Sequence, residues 1–394
     1  MRHFITQRPI LVIVLAQLCG CSLWFSVNGV SMGLTDSWGL NASDLGRLTN
    51  AVLAGFICGT LILSISGLAD RFRASHIFVV SAFLGALANL SFALVASNLH
   101  EGLIVRFLVG LCLAGIYPTG MKLLVSWSES SPGLGLGLLV GMLTLGTALP
   151  HGLTALELTA DWRSTLILVS GIALIGGAMV WLLGDGPYTT RQVGSLRWGA
   201  VMQSFQIPRF RASAMGYFGH MWELYAFWTL TPWLVRESLG SRAPSEEVAL
   251  WSFAVIGIGA FGAFFGGWMS RVIGSAHVAR ISLALSGLIC AFYPLVASSM
   301  GVLTIGILLV WGFFVIADSG QFSAISSQAC PRDLVGSALA MQNSTGFLLS
   351  VVSISLVTGL LDEWGLSVLW VLIPGPVLGV IAMKSLFVQG SLAK

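Results

Sequence analysis

The chain is 394 residues long, 56% of them hydrophobic and only 9% charged, with a mean hydropathy of +0.89 and a formal net charge of +3. Soluble domains carry roughly 25% charged residues, so this composition excludes a water-soluble protein and predicts one surrounded by a lipid bilayer. Because a bilayer core requires roughly 20 apolar residues per helix, the length allows about a dozen membrane spans.

Polar breaks divide the chain into apolar segments, which we number 1 to 12 in chain order. Segments 1 to 6 are 10–34, 44–66, 77–97, 101–126, 133–155 and 163–184. Segments 7 to 12 are 210–235, 247–269, 278–298, 301–326, 335–358 and 366–388. The longest polar stretch, 185–209, is interpreted as a linker between an N-terminal bundle at 1–184 and a C-terminal bundle at 210–394. The expected fold is all-α, with twelve transmembrane helices in two pseudo-symmetric six-helix bundles.

The two halves carry an internal repeat. A shift of 200 positions aligns the pairs Gly67 with Gly267, Arg71 with Arg271, Gly120 with Gly320, and Gly146 with Gly346. Two copies of a hydrophobic multi-helix unit joined by a polar loop are typical of secondary transporters.

The basic residues predict the orientation in the membrane. If both termini are cytoplasmic, 14 of the 19 lysines and arginines lie on the cytoplasmic side, four lie opposite, and Arg106 lies inside a segment. Cytoplasmic loops carry an excess of Lys and Arg, so we expect cytoplasmic termini in a bacterial-type inner (plasma) membrane.

Residues 66–73, between segments 2 and 3, read SGLADRFR, and a weaker copy, GGWMSR, occupies 266–271. This pattern resembles the G-x-L-A-D-R-x-G-R-[KR] loop of the major facilitator superfamily. The resemblance implies a cytoplasmic gate in which Asp70 pairs with basic groups and caps the start of helix 11, with Arg71 and Arg271 as further gate residues. A solvated loop that only sets the orientation is the alternative.

Two further patterns resemble the same family. Arg106 and Gly110 in segment 4 are similar to its R-x-x-x-G motif, which implies a part for Arg106 in proton coupling. An arginine in a membrane helix is costly unless it is paired or hydrated, and an interfacial arginine near Glu101 is the alternative. Pro150 and His151 in segment 5 match the family's antiporter motif only in part, so import and export both remain open.

In this family architecture the solute lies midway through the membrane, between the halves. Segment 7 places His220 and Glu223 three residues apart, on one helical face. A carboxylate in the membrane interior can load and release a proton, and a histidine can relay it. Glu223 is therefore the leading candidate for proton coupling, with His220 as its partner; a structural ion pair between two helices is the alternative. Asp318 in segment 10 is either a second acid in the cavity or a gate residue.

Aromatic and amide side chains deep in several segments indicate a solute cavity with a few hydrogen-bonding groups. The candidates for lining it are Trp24, Asn28, His151, Trp222, Tyr225, Gln321 and Asn343. For each aromatic side chain alone, packing in the protein core or against lipid is the alternative.

The function expected from the resemblance is secondary transport of a small organic solute by alternating access, driven by protons. One alternative is a nitrate or nitrite porter, although segment 8 lacks the internal arginine that such carriers use. Another is a transporter of metals or metal complexes, because imidazole and thioether groups suit soft metals. Its candidate ligands are His151, Met215, His220, Met221 and Glu223.

No P-loop, H-E-x-x-H or G-x-S-x-G element is present, so we expect neither an enzyme nor a pump that hydrolyses ATP by itself. No cofactor and no bound metal are expected. The expected partners are a small-molecule solute, protons and the lipid bilayer, without nucleic acid, and the expected state is a monomer.

Overall fold

The computed structural model describes residues 7–128, 133–156, 161–188, 203–301, 303–331 and 334–388, without the side chains of 70, 133–136 and 298–300. Within these ranges the regular structure is entirely helical. The N-terminal half contains α1a (Pro9–Cys21), α1b (Ser26–Gly29), α1c (Ser31–Trp38), α2 (Ala42–Ile65), α3 (Ala74–Leu94), α4a (Leu99–Leu113), α4b (Tyr117–Ser126), α5 (Gly133–Ala155) and α6 (Trp162–Leu183).

The C-terminal half repeats this order. It contains α7 (Pro208–Leu239), α8a (Ser245–Gly257), α8b (Gly259–Ile273), α9 (Ser275–Met300), α10a (Leu303–Ala317), α10b (Ser319–Ala329), α11 (Val335–Trp364), the 3-10 helix α12a (Gly365–Leu372) and α12b (Pro374–Ala382). Two single-turn helices, Leu68–Arg71 and Ser385–Val388, lie outside these passes.

The predicted number of passes is confirmed over the described ranges. Nine helical stretches are long and apolar enough to cross a membrane. One of them, Val335–Phe387, contains both α11 and α12, because Gly365 adopts a positive φ of 51° and separates the two. The remaining passes are the broken α1 and the 32-residue α7, whose interior carries His220 and Glu223.

The halves meet along two pairs of helices. α2 packs against α11, and α5 packs against α8a and α8b. Within the halves, α4 packs closely on α2, and α10 packs in the same way on α8. The molecule therefore consists of two helical bundles that meet along a central interface.

Two glycines of the repeat make equivalent contacts. Gly146 on α5 lies against the Leu18 carbonyl, and a Cβ there would approach the Cβ of Cys21 to 3.1 Å. A Cβ at Gly346 on α11 would approach the Cγ of Met221 to 2.9 Å. Gly346 and Met221 each lie 200 positions after their counterparts Gly146 and Cys21. α11 therefore packs on α7 in the same way as α5 packs on α1.

The repeat does not extend to the first aligned glycine pair. Gly67 has a φ of 66° and ends the turn after α2, whereas Gly267 lies inside α8b. In the second half the chain turns at Gly274, whose φ is 84°. The prediction that Gly67 and Gly267 are equivalent is therefore wrong in structural terms, because α8 continues past the position where α2 ends.

The predicted gate lies at the linker end of the molecule. Arg71 and Arg271 are exposed there, and the side chain of Asp70 lies outside the described part. The Lys122 ammonium donates to the Ala69 carbonyl over 3.0 Å, which attaches α4b to this loop. Of the predicted linker, residues 189–202 lie outside the described ranges, so its extent stays a prediction.

Substitution of Gly110 tests the close contact between α2 and α4a. A Cβ at Gly110 would overlap the Val52 carbonyl oxygen and approach the Phe56 nitrogen to 2.9 Å, both backbone atoms that cannot rotate away. Overpacking of this kind costs about 1–3 kcal/mol, so we expect Gly110→Ala to lower the thermal stability of the detergent-solubilised protein. The control is Gly171→Ala on α6, where nothing lies within 4 Å of the added methyl group. Equal melting temperatures for the two variants would contradict the packing.

Candidate transport pathway

Several helices are interrupted near the middle of their length. α1 opens over residues 22–25, α4 over 114–116, and α10 at Asp318. An interruption leaves backbone carbonyls without their helical partners, and inside a membrane protein other groups must satisfy them. These interruptions therefore bring polar groups into the interior of both halves.

Arg106 donates hydrogen bonds to the backbone carbonyls that are free at the interruption of α1. Its guanidinium is fully buried and donates to the carbonyls of Leu23, over 3.1 Å, and Trp24. It also donates to the Ser26 hydroxyl over 2.9 Å, and that hydroxyl donates to Asn89 over 2.7 Å. Arg106 is thus neither an interfacial residue nor a partner of Glu101, whose carboxylate accepts from Ser97. Its Nε atom is buried without a hydrogen-bond partner among the described residues.

His220 is paired with Asp318, not with Glu223. Nδ1 of His220 lies 2.8 Å from Oδ1 of Asp318, and both side chains are buried. The predicted partnership of His220 with Glu223 is therefore wrong. His220 and Glu223 are three residues apart on α7. Because other helices surround α7, the two side chains contact different neighbouring helices. Over the described ranges, Nε2 of His220 and Oδ2 of Asp318 have no hydrogen-bond partner.

Glu223 is held by two other helices. Its Oε1 accepts from the Trp311 indole on α10a over 2.7 Å, and its Oε2 accepts from the Ser286 hydroxyl on α9 over 2.9 Å. The carboxyl group is buried, and each of its oxygens has a donor. Glu223 therefore joins α7, α9 and α10 within the C-terminal half.

Aromatic side chains from both halves meet between them. We call this set the aromatic cluster; its members are Trp24, Phe25, Phe56, Tyr117, Tyr225, Trp228 and Phe347. The ring centroid of Trp24 lies 5.9 Å from that of Tyr225 and 5.7 Å from that of Phe347, which are contacts between the halves. The rings pack on one another, so the cluster fills the centre of the interface instead of surrounding an open cavity there. The indole nitrogens of Trp24 and Trp228 are buried without a partner among the residues described.

Two cavities lie between the cluster and the end opposite the linker. The first has a volume of about 180 Å³ and is lined by Asn28, Met32, His151 and Asp161 among others. The second, of about 300 Å³, is lined by Asn28, Met32 and Arg236 among others. Asn28 borders both and donates to the Thr49 hydroxyl over 2.9 Å. Polar groups of both halves are therefore accessible from this end.

Some of the remaining predicted cavity residues lie elsewhere. Trp222 donates to the Val371 carbonyl over 3.0 Å and packs against Gly375, so it faces α12 and not the interface between the halves. Gln321 is buried on α10b, and Asn343 is half-buried on α11.

The ligand set of the metal alternative is not assembled, because Met215 is exposed on the outside of α7. The described residues contain no group of three His, Cys, Asp or Glu side chains that could hold a metal ion.

Sequence reasoning missed several side chains of this pathway. Phe56 and Phe347 complete the aromatic cluster, Trp311 and Ser286 hold Glu223, and Arg236 reaches into the larger cavity. Phe56 and Phe347 could not be identified from the sequence, because a phenylalanine does not stand out in an apolar segment. Arg236 did stand out, as one of few basic residues opposite the linker, and it could have been identified.

Known proteins resemble this chain in sequence and in structure. Over 389 aligned residues, 90% of this chain and 87% of the relative, it is 24% identical to a probable sulfoacetate transporter, SauU, of Cupriavidus necator. It is 34% identical over 103 residues to the 4-hydroxybenzoate transporter PcaK of Pseudomonas aeruginosa, and 30% identical over 196 residues to that of Pseudomonas putida. Those two alignments cover 22% and 42% of the 4-hydroxybenzoate transporters, and 26% and 46% of this chain.

The fold matches that of a solved transporter. The structure of a bacterial homolog of the human lysosomal transporter Spinster, inward-facing and unoccupied, aligns with a TM-score of 0.69. The alignment covers 98% of this chain and 95% of that one at 14% identity, which establishes a shared fold. Residues 13–384 match the family model of the Major Facilitator Superfamily. The chain therefore belongs to the major facilitator superfamily of membrane transporters.

Proposed function

We propose that this protein is a proton-coupled secondary transporter that carries a small organic anion by alternating access. It acts as a monomer in a bacterial-type inner membrane, with both termini in the cytoplasm. The excess of basic residues on the linker side supports this orientation. The cavities are then on the outer side, and the aromatic cluster separates them from the cytoplasm.

The solute class is supported by the named relatives. Sulfoacetate and 4-hydroxybenzoate, the compounds in the relatives' names, are both small organic anions. The larger cavity combines apolar lining from Met32, Leu230 and Trp233 with the cation of Arg236, which suits an anion with an apolar body.

Proton coupling is supported above all by the buried His220–Asp318 pair. Ionisable groups inside the membrane are costly, and such groups mark proton relays in transporters. Uptake of a proton changes the net charge of the His220–Asp318 pair by one, and Asp318 lies at the interruption of α10. The proton therefore changes the contact between α7 and α10, and α7 carries Tyr225 and Trp228 of the aromatic cluster and Arg236 of the larger cavity. We assign Glu223 a structural role instead, because its two oxygens accept from Trp311 and Ser286 and so join three helices of the C-terminal half.

Alternating access requires that the aromatic cluster open toward the linker end while the outer cavities close. The halves meet along α2 with α11 and α5 with α8, so rocking about these contacts changes the separation of the two ends in opposite directions. The rings of Trp24, Tyr225 and Phe347 come from both halves, so the same motion separates them.

We expect Glu223→Gln to retain solute accumulation driven by a pH gradient. A glutamine oxygen can still accept from Trp311, and its amide can donate to the Ser286 hydroxyl, so the contacts persist without a titratable group. The measurement is accumulation of labelled solute in proteoliposomes, beside wild type. Loss of accumulation with solute exchange retained would assign coupling to Glu223 instead.

Transport itself is tested in proteoliposomes with an imposed pH gradient, using labelled 4-hydroxybenzoate and labelled sulfoacetate as probes. We expect accumulation of at least one of them that collapses when a protonophore dissipates the gradient and that needs no ATP. Liposomes without protein are the control. Uptake of neither anion above that control would contradict the proposed solute class, and uptake insensitive to the protonophore would contradict proton coupling.

A further inference from the structure

The larger cavity contains a single cation, Arg236, among its described lining residues. Arg236 lies near the end of α7, half-buried, and lines the 300 Å³ cavity between the halves. The wall beside it is apolar, formed by Met32 of α1c and by Leu230 and Trp233 of α7. The described lining also includes Asp36, Asp362 and several hydroxyl and amide side chains.

The guanidinium of Arg236 is incompletely satisfied. Within the described residues, the hydrogen-bond partner of one terminal nitrogen, Nη2, is the sulfur of Met32, at 3.5 Å. Its Nε is buried and has no hydrogen-bond partner in the described part of the chain. The ion pairs of the described residues do not include Arg236 either. A buried donor without an acceptor is destabilising, so this site favours a ligand that supplies an anionic oxygen.

Two carboxylates border the same cavity but do not neutralise Arg236. Asp36 on α1c and Asp362 on α11 are exposed to solvent, whereas Arg236 is half-buried. Among the described residues neither carboxylate forms an ion pair with Arg236, so the half-buried guanidinium stays available to an anion inside the cavity.

We propose that Arg236 forms an outer binding site for the carboxylate or sulfonate of the transported anion, occupied before the solute reaches the aromatic cluster. The inference rests on the proposed transport of organic anions. The planar guanidinium can donate two parallel hydrogen bonds to either head group. Met32, Leu230 and Trp233 contact the body of the solute. Asn28 borders both this cavity and the smaller one.

The test is equilibrium binding to the purified full chain in nanodiscs. The probes are 4-hydroxybenzoate and sulfoacetate, with the neutral methyl ester of 4-hydroxybenzoate as a charge control. We expect Arg236→Gln to raise the Kd of the transported anion by about tenfold or more and Arg236→Lys to raise it less. Arg242→Gln, which changes an exposed arginine on the same side outside the cavity, should leave the Kd unchanged.

The outcomes separate this site from the transport proposal. An unchanged Kd for Arg236→Gln, with transport by wild type intact, overturns the site alone. Absence of binding and transport of both anions by wild type overturns both proposals. If Arg236→Gln does not fold, the wild-type comparison decides: equal affinities for the acid and its neutral ester overturn the site, and a much weaker ester supports it.

Discussion

Asp318→Asn is expected to abolish proton-driven accumulation of the solute while leaving solute exchange intact. Asparagine is close to aspartate in size and keeps an oxygen facing His220, but it cannot take up a proton. A gradient of one pH unit supports about a tenfold accumulation with one coupled proton, because each unit supplies about 1.4 kcal/mol. The expected accumulation ratio of the variant at equal membrane potential is therefore about one.

The measurement compares wild type with Asp318→Asn in the same proteoliposomes, first with a pH gradient and then with labelled solute on one side and unlabelled solute on both. The control is Glu363→Gln, which removes an exposed carboxylate on α11 and should behave as wild type. Accumulation by Asp318→Asn at the wild-type level would contradict coupling at the His220–Asp318 pair.

Arg106→Gln is expected to cause a large loss of stability. The guanidinium satisfies the carbonyls of Leu23 and Trp24 at the interruption of α1, and glutamine cannot reach both of them and Ser26 at once. Each buried acceptor left without a partner costs about 1–3 kcal/mol. The interruption also positions Trp24 in the aromatic cluster, so transport should fall along with the melting temperature.

Thermal unfolding of the solubilised protein, followed by tryptophan fluorescence, measures this effect. Arg47→Gln is the matched control, because the Arg47 side chain is 61% exposed and pairs with Asp44 at 3.3 Å. Exposed ion pairs of this kind contribute about 0–1 kcal/mol. A melting temperature of Arg106→Gln equal to that of Arg47→Gln would contradict the structural role of Arg106.

The passes could be predicted from the sequence because each long apolar run must cross the bilayer as a helix. The interruptions could not be predicted in the same way. Residues 22–25 leave α1 where Arg106 satisfies their carbonyls, more than 80 positions away along the chain. No local signal marks such a site, because the group that stabilises it comes from another helix.

The candidate site could likewise be predicted from the sequence only in part. His220, Glu223 and Asp318 could be identified because ionisable residues are rare inside membrane segments. Their partners could not be derived from spacing, since α7 is buried on nearly every side and neighbouring positions on one face contact different helices. The pairing of His220 with Asp318 joins residues 98 positions apart, which only the packing of α7 on α10 brings together.

The most direct test of the central claim is a simultaneous record of solute and proton movement. Proteoliposomes containing an internal pH indicator receive an outward solute gradient of 4-hydroxybenzoate or sulfoacetate at equal initial pH and clamped membrane potential. Proton-coupled transport predicts that solute flow drives a pH change in wild type, and that Asp318→Asn transports solute without one. Solute flow in wild type with no change in internal pH would contradict the account.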